Sequence, residues 1–386
     1  MARMAVILFC MLLCACAPVT APPGLESVTP AIDSDAFVTR DGLHLPLRQW
    51  DAKKPRAIIV ALHGMSDYSN AFDMPATWWA AHGITTYAYD QRGFGRAPNT
   101  GLWPGGKALR QDLSDCVEAV KARHPGVPVF ALGESMGGAV LLSALAGPDA
   151  PRVDGVILVA PAVWARDDMP VLYRAALWVT AHTMPWLHVS GEGLKIWPSD
   201  NIEMLRKLSR DPLFQKQTRA DAVWGLVNLM DAGRKAPEIM NRDHVATPPI
   251  LFLYGAKDQI IPREPTEAVA KELGARAEVQ VDPDGYHMLL RDLDGSKLWR
   301  DVSDWIDKHA PLPSRGEGPA ASGQHLRLDR AFAHMRGRGG GDVGDRSAQL
   351  HDIVAVGDAP HVGVAVEQRQ EPRIGRKRHV PGFAGL

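Results

Sequence analysis

The stretch Gly133-Glu134-Ser135-Met136-Gly137-Gly138 sets one serine among glycines. A short apolar run, 128–132, precedes it, and small and aliphatic residues, 139–145, follow it, so the local order is strand, sharp turn, helix. A serine at the apex of such a turn is held in a strained conformation for which glycines leave room. The positive end of the next helix then faces its oxygen. That environment suits a nucleophile, whereas an inert serine in a glycine-rich turn is the plain alternative. A hydroxyl attacks poorly at neutral pH without a base, and the base needs an orienting acid. Asp258 lies in a tight turn just after the apolar run 250–254, and His287 ends the loop Asp282-Pro283-Asp284-Gly285-Tyr286-His287. The order Ser135, Asp258, His287 is the one a nucleophile elbow requires. Asp282 and Asp284 are substitutes for the acid, and Asp258 also reads as a cap for the helix after Pro262. His63, His82 and His124 precede the elbow, and His182, His188 and His244 lie in a middle segment, so His287 is preferred.

Acyl transfer also needs donors for the tetrahedral oxyanion. With an elbow of this type they are two backbone N–H groups, one from the residue after the nucleophile and one from the loop after an earlier strand. Here these are Met136 and Met65, the latter following His63-Gly64.

Positioning these groups takes a sheet. The runs 57–62, 84–89, 128–132, 155–160 and 250–254 are apolar on both faces, as strands of a parallel sheet covered on both sides must be. A last strand is expected at 277–281. Ahead of them, 36–40 and 43–50 flank Asp41-Gly42, a hairpin signal. Helices are expected at 107–124, 264–273 and 295–309. Strands interleaved with helices make an α/β class chain with a doubly wound sheet, whose ligand site lies outside the carboxyl ends of the strands. His63, Asp90, Ser135 and Asp258 all fall at such ends. From 162 to 246 the alternation stops, and Trp164, Trp178, Trp186, Trp197 and Trp224 gather with Met169, Met184, Met204, Met230 and Met240. This reads as a helical cap over the site, with side chains suited to an acyl chain or to packing on the sheet.

The chain has 386 residues, a net charge of −1, 46% hydrophobic and 23% charged residues, near soluble-globular averages, and nothing points to nucleic acid. Cys116 is the one cysteine of the body, which excludes a disulfide framework there and makes it a small core residue. No residue set suggests a metal or cofactor. Residues 1–15 carry Arg3 and then an apolar run, 5–15, too short to span a bilayer, as in a secretory signal. Residues 16–30 read as a flexible Pro-rich tether and 31–311 as the main domain. Residues 312–386, with glycine and arginine throughout, read as a disordered tail, and the abrupt change suggests a shifted reading frame.

Two resemblances follow from these residues. Leu13-Cys14-Ala15-Cys16 resembles the lipobox of bacterial lipoprotein signals, which implies a lipidated Cys16 and a place at the cell envelope, at the outer membrane. Ordinary cleavage after residue 17, with a secreted or periplasmic product, is the alternative. The stretches Leu62-His63-Gly64-Met65-Ser66-Asp67-Tyr68-Ser69, Tyr89-Asp90-Gln91-Arg92-Gly93-Phe94-Gly95, Gly133–Gly138, Ser209-Arg210-Asp211-Pro212-Leu213, Gly255-Ala256-Lys257-Asp258 and Gly285-Tyr286-His287 resemble the α/β-hydrolase superfamily. Within it they are similar to the monoacylglycerol lipase and lysophospholipase group, related to the serine-aminopeptidase-like hydrolases. The resemblance spans about residues 35–310. It implies a serine hydrolase of glycerol or lysophospholipid esters without a cofactor. Glu134 departs from that group, where His is common, and so does Phe94, again where His is frequent. A peptidase, an acyltransferase, or a non-catalytic envelope lipoprotein using the fold for binding are the other readings.

Overall fold

The computed structural model describes residues 17–148, 150–191 and 196–310. The expected signal segment, Cys16 and the tail 312–386 lie outside the described residues. Nine strands form one sheet: β1 (Ala31–Ile32), β2 (Ala36–Val38), β3 (His44–Trp50), β4 (Ala57–Leu62), β5 (Ile84–Tyr89), β6 (Val129–Glu134), β7 (Gly155–Val159), β10 (Ile250–Gly255) and β11 (Ala277–Asp282). A small antiparallel ribbon pairs β8 (His188–Val189) with β9 (Thr218–Arg219). The order in the large sheet is β1-β2-β3-β5-β4-β6-β7-β10-β11, antiparallel through β3 and parallel from β5 onward. This is the mostly parallel α/β-hydrolase architecture expected from the sequence.

The helices are α1 (Asp73–Ala81), α2 (Gly106–Arg123), α3 (Met136–Leu145), α4 (Val171–Thr183), α5 (Ile202–Arg210), α6 (Ala220–Arg242), α7 (Arg263–Leu273) and α8 (Ser296–His309). Alternation along β4 shows how they are used. Ile58, Val60 and Leu62 pack into one core with α2 and α3, while Ala57, Ile59 and Ala61 pack into a second with Trp79 of α1 and Trp305 of α8. A strand buried on both faces has no polar side to offer, which is why β4, β6, β7 and β10 read as continuous apolar runs. The edge strand β11 is mostly exposed. The hairpin turns at Gly42, whose φ of +77° glycine adopts without strain. Cys116 is fully buried in the first core, and burial pushes its thiol pKa up, so it stays protonated.

Residues 17–30 differ from the expected flexible tether. The Ala21 N–H donates to Trp103 O at 2.8 Å, Ser27 and Val28 N–H donate to Arg40 O, and Gly24 N–H donates to Asp41 Oδ2 at 2.8 Å. Proline-rich composition suggested a free linker, but extended backbone still offers donors to a neighbouring chain, and here they are taken up.

Close backbone packing joins β6 to α3. A Cβ on Gly133 would lie 2.4 Å from the Gly137 carbonyl, and one on Gly137 would lie 2.2 Å from Leu62 O. Gly137→Ala is therefore expected to destabilise the fold by about 1–3 kcal/mol. A urea midpoint that drops at unchanged slope would register this; an unchanged midpoint would contradict the packing.

Candidate active site

Ser135 sits where β6 gives way to α3, with φ 54° and ψ −113°, outside the regions open to ordinary side chains. Its backbone cannot relax. Its N–H donates to Val159 O at 2.9 Å, and its carbonyl accepts from Ala139 N–H at 3.1 Å and Ala162 N–H at 2.9 Å. Strain of this kind persists where the surroundings over-determine it.

The structure brings two of the expected site residues together: His287 Nδ1 and Asp258 Oδ2 are 2.8 Å apart, with both side chains buried. The carboxylate accepts from Nδ1–H, which leaves Nε2 as the ring nitrogen carrying the lone pair. Asp258 serves two purposes, because its other oxygen accepts from Ile260 N–H at 2.8 Å and Ile261 N–H at 3.1 Å. The turn is thereby built around the acid, and Pro262, not Asp258, occupies the N-cap of α7. The substitutes are engaged elsewhere. Asp282 accepts from the N–H groups of Asp284 and Gly285, and the exposed Asp284 pairs with Lys257.

Ser135 and His287 line one cavity of about 540 Å³, within the range of about 300–1,000 Å³ common for small-molecule sites. Met65 lines it too, and Gly64 packs so closely on the elbow that a Cβ there would lie 3.2 Å from Ser135 Cβ. Met136 is the first residue of α3, so its N–H has no acceptor inside the helix. The loop carrying Met65 is held from behind by His63. This fully buried imidazole donates from Nδ1 to Gly64 O at 2.8 Å and accepts the Gln91 N–H on Nε2 at 3.0 Å. Burial lowers its pKa and keeps the ring neutral for that double role. Asp90, at the end of β5, accepts from Ser69 and Arg96 N–H groups at 2.9 Å, tying that loop to the next.

The cap supplies the apolar walls: Trp164, Met169, Leu177, Phe214, Leu226 and Met230 all line the cavity. Of the five cap tryptophans only Trp164 does so. Trp178, Trp186 and Trp197 are exposed, and Trp224 lies under Arg166, whose guanidinium is 4.1 Å from its ring centroid. Among the described residues no group of three or more His, Cys, Asp and Glu side chains is arranged to hold a metal ion.

Comparison with known proteins gives the family and the fold. The family model described as serine aminopeptidase, S33, matches residues 53–294, well over half of the chain. The chain belongs to that hydrolase family. Among curated relatives, a monoacylglycerol lipase of Mycolicibacterium smegmatis is 27% identical over 273 residues, covering 66% of this chain and 89% of that protein. The human monoglyceride lipase is 22% identical over 303 residues, covering 75% of this chain and 95% of that protein. Among solved structures, a soluble variant of the Saccharomyces cerevisiae monoglyceride lipase in complex with a substrate analog aligns with a TM-score of 0.62 at 19% identity, over 76% of this chain and all of that one. The Paleococcus ferrophilus monoacylglycerol lipase aligns with a TM-score of 0.58 at 22% identity, over 69% and 99%. The protein is a monoglyceride-lipase-like α/β-hydrolase.

One part of this hydrolase's site has no local signal in the sequence. Arg291, fully buried four residues beyond His287, pairs with Asp67 Oδ2 at 2.8 Å and with Glu134 Oε1 at 3.4 Å. Burial works against the guanidinium charge, and the two carboxylates outweigh it, so its pKa is raised. Burial likewise pushes Glu134 up, with Arg291 opposing. The three residues come from the loop after β4, the elbow and the loop after His287, and all three line the cavity, so one cation joins three of the segments that converge on it. The unusual Glu134 is thus matched by a partner 157 positions away. Removing the cation leaves two buried acids facing each other. Arg291→Met is expected to cost about 3–5 kcal/mol, and more than Glu134→Gln, which keeps the Arg291–Asp67 pair. The sign with pH follows. Uncompensated carboxylates have raised folded pKa values, so their contribution is present at low pH and lost as pH rises past the unfolded value of about 4.3 for Glu. Chemical denaturation of wild type and both variants across acidic to neutral pH should show the Arg291→Met deficit widening with pH. Equal deficits for the two variants would contradict the clamp.

Proposed function

We propose that the protein is a serine carboxylic-ester hydrolase of the monoacylglycerol or lysophospholipid type, working through an acyl-enzyme on Ser135. The observation that carries this reading is the His287–Asp258 pair, 2.8 Å apart, on the same cavity that the strained Ser135 enters. His287 Nε2 takes the Ser135 proton as Oγ attacks the ester carbonyl. Asp258 holds the ring in the required tautomer and stabilises the imidazolium. The N–H groups of Met65 and Met136 receive the developing oxyanion. His287 then returns its proton to the leaving alcohol, and water, activated by the same ring, releases the acid. The cap's apolar walls favour a single acyl chain, and the monoacylglycerol lipases among the relatives support a glycerol leaving group.

A fluorophosphonate probe is expected to label Ser135 and no other residue. Ser135→Ala should lower turnover of short p-nitrophenyl esters by about 10⁴-fold or more, and Asp258→Asn by a factor approaching 10⁴, since the tautomer is then wrong. Full turnover by Ser135→Ala would overturn the acyl-enzyme reading.

A further inference from the structure

Strand β11 ends the sheet and, among the described residues, pairs with β10 alone. Its register there is unbroken, from Ala277 opposite Ile250 to Asp282 opposite Gly255. Asp282 O accepts from Ala256 N–H at 2.8 Å, so the main-chain groups of Asp282 face β10. Along a strand that direction alternates. Those of Glu278 and Gln280 therefore face β10 as well, and those of Ala277, Val279 and Val281 face outward. The Ala277 N–H is taken by Gly274 O in the preceding turn. Ala277 O and both groups of Val279 and Val281 are left for a further strand.

Proteins blunt such edges by shortness, charge, proline or a bulge. The opposite edge, β1, is two residues long. Strand β11 has six, Ala277-Glu278-Val279-Gln280-Val281-Asp282, with no lysine, proline or bulge. Its acids are turned back into their own chain. Glu278 pairs with Lys308 of α8 at 3.0 Å, and Asp282 accepts from the N–H groups of Asp284 and Gly285. The valines are bare, Val279 at 45% and Val281 at 53% exposure. An edge in this state is a template for another strand.

The strand's own sequence says which one. A two-fold pairing must match a patch to itself. Antiparallel pairing centred on Val279 sets Val279 against the partner's Val279, Ala277 against the partner's Val281, and Glu278 against the partner's Gln280. Directly opposite residues share a face, so apolar side chains meet on one face and a carboxylate meets an amide on the other. The same register brings Arg276, just before one strand, to the partner's Asp282 at the end of the other. Moving the centre to Gln280 instead sets Glu278 against the partner's Asp282 on both sides, a like-charge pairing. A parallel pairing brings like ends together.

We propose that the protein is a two-fold dimer in which β11 pairs antiparallel with β11 of a second copy, centred on Val279. Two nine-stranded sheets then become one. Val279 exchanges both main-chain hydrogen bonds with its counterpart, and each Val281 N–H donates to the partner's Ala277 O. The carboxyl ends of the parallel strands, where the cavities lie, point opposite ways, so the two cavities sit at opposite ends of the joined sheet. The pairing requires neither Ser135 nor the ester-hydrolase reading.

The test measures the mass of the full-length chain by sedimentation over a range of concentrations. Wild type is expected to pass from monomer to dimer as concentration rises. Val279→Lys sets two ammonium groups opposite each other on the two-fold axis and should weaken the dimer by about tenfold or more. Arg276→Glu, which brings acids together at both ends of the pairing, should weaken it several-fold. Cysteines then read the register, in chains whose Cys10, Cys14 and Cys16 are replaced by serine. Opposite residues of a hydrogen-bonded antiparallel pair have Cα atoms about 5.5 Å apart, within the range of about 4.4–6.8 Å that a disulfide spans. Val279→Cys should therefore give a disulfide-linked dimer under mild oxidation. Val281→Cys should not, because its counterpart lies four residues along the strand, about 13 Å away. A chain that stays monomeric at every concentration overturns the proposal, and so does a dimer that Val279→Lys leaves as tight as wild type. Equal linking through 279 and 281 overturns the register.

Discussion

The site depends on how closely the backbone of 133–138 approaches its surroundings. Gly133 lies against the Gly137 carbonyl, Gly137 against Leu62 O, Gly138 against Pro161, and Gly64 against Ser135 itself, each leaving room for a hydrogen and little else. That crowding lets α3 start directly off β6 and forces Ser135 to the apex at positive φ. The hydrogen bonds from Ser135 N–H and to its carbonyl then hold the strained residue in place.

Around this rigid point the other groups sit on loops, which are mobile unless tied. Three buried ties do the holding. His63 spans Gly64 and Gln91, Asp258 spans its own turn and His287, and Arg291 spans Asp67 and Glu134. Each works because it is dry, since a neutral imidazole, a shared carboxylate and a doubly paired guanidinium would exchange with water if exposed. The cap is tied to the same loops. Met288 N–H donates to Pro198 O and Ser199 Oγ to Asp292, at 2.8 and 2.5 Å, while Asn201 Nδ2 reaches Arg291 O at 3.0 Å. The cap that shapes the cavity therefore also bears on the histidine loop.

The cap itself divides its apolar residues between two tasks. Trp164, Met169 and Leu177 face the cavity, whereas Trp178, Trp186 and Trp197 face outward. Composition alone counted them together as cover for the site. The side each takes is set by the winding of α4 and by where the ribbon and α6 dock it, neither of which composition reports.

The sequence by itself determined the elements whose cause is local. Strands buried on both faces had to be continuous apolar runs, the elbow had to carry small residues on each side of Ser135, and Asp41-Gly42 had to turn a hairpin. The order Ser135, Asp258, His287 was legible for the same reason, since each residue follows a recognisable strand. Other features were hidden. Helix α1, with little amphipathic pattern, had no period to read, and residues 17–30 looked like a free linker until the acceptors on Trp103 and Arg40 were in view. Only the tertiary structure decided that Arg291 would meet Asp67 and Glu134, that Asp258 and not Asp282 or Asp284 would reach His287, and which tryptophans would face water. Those outcomes depend on contacts between residues far apart in the chain, and spacing along a sequence carries no record of distance across a fold.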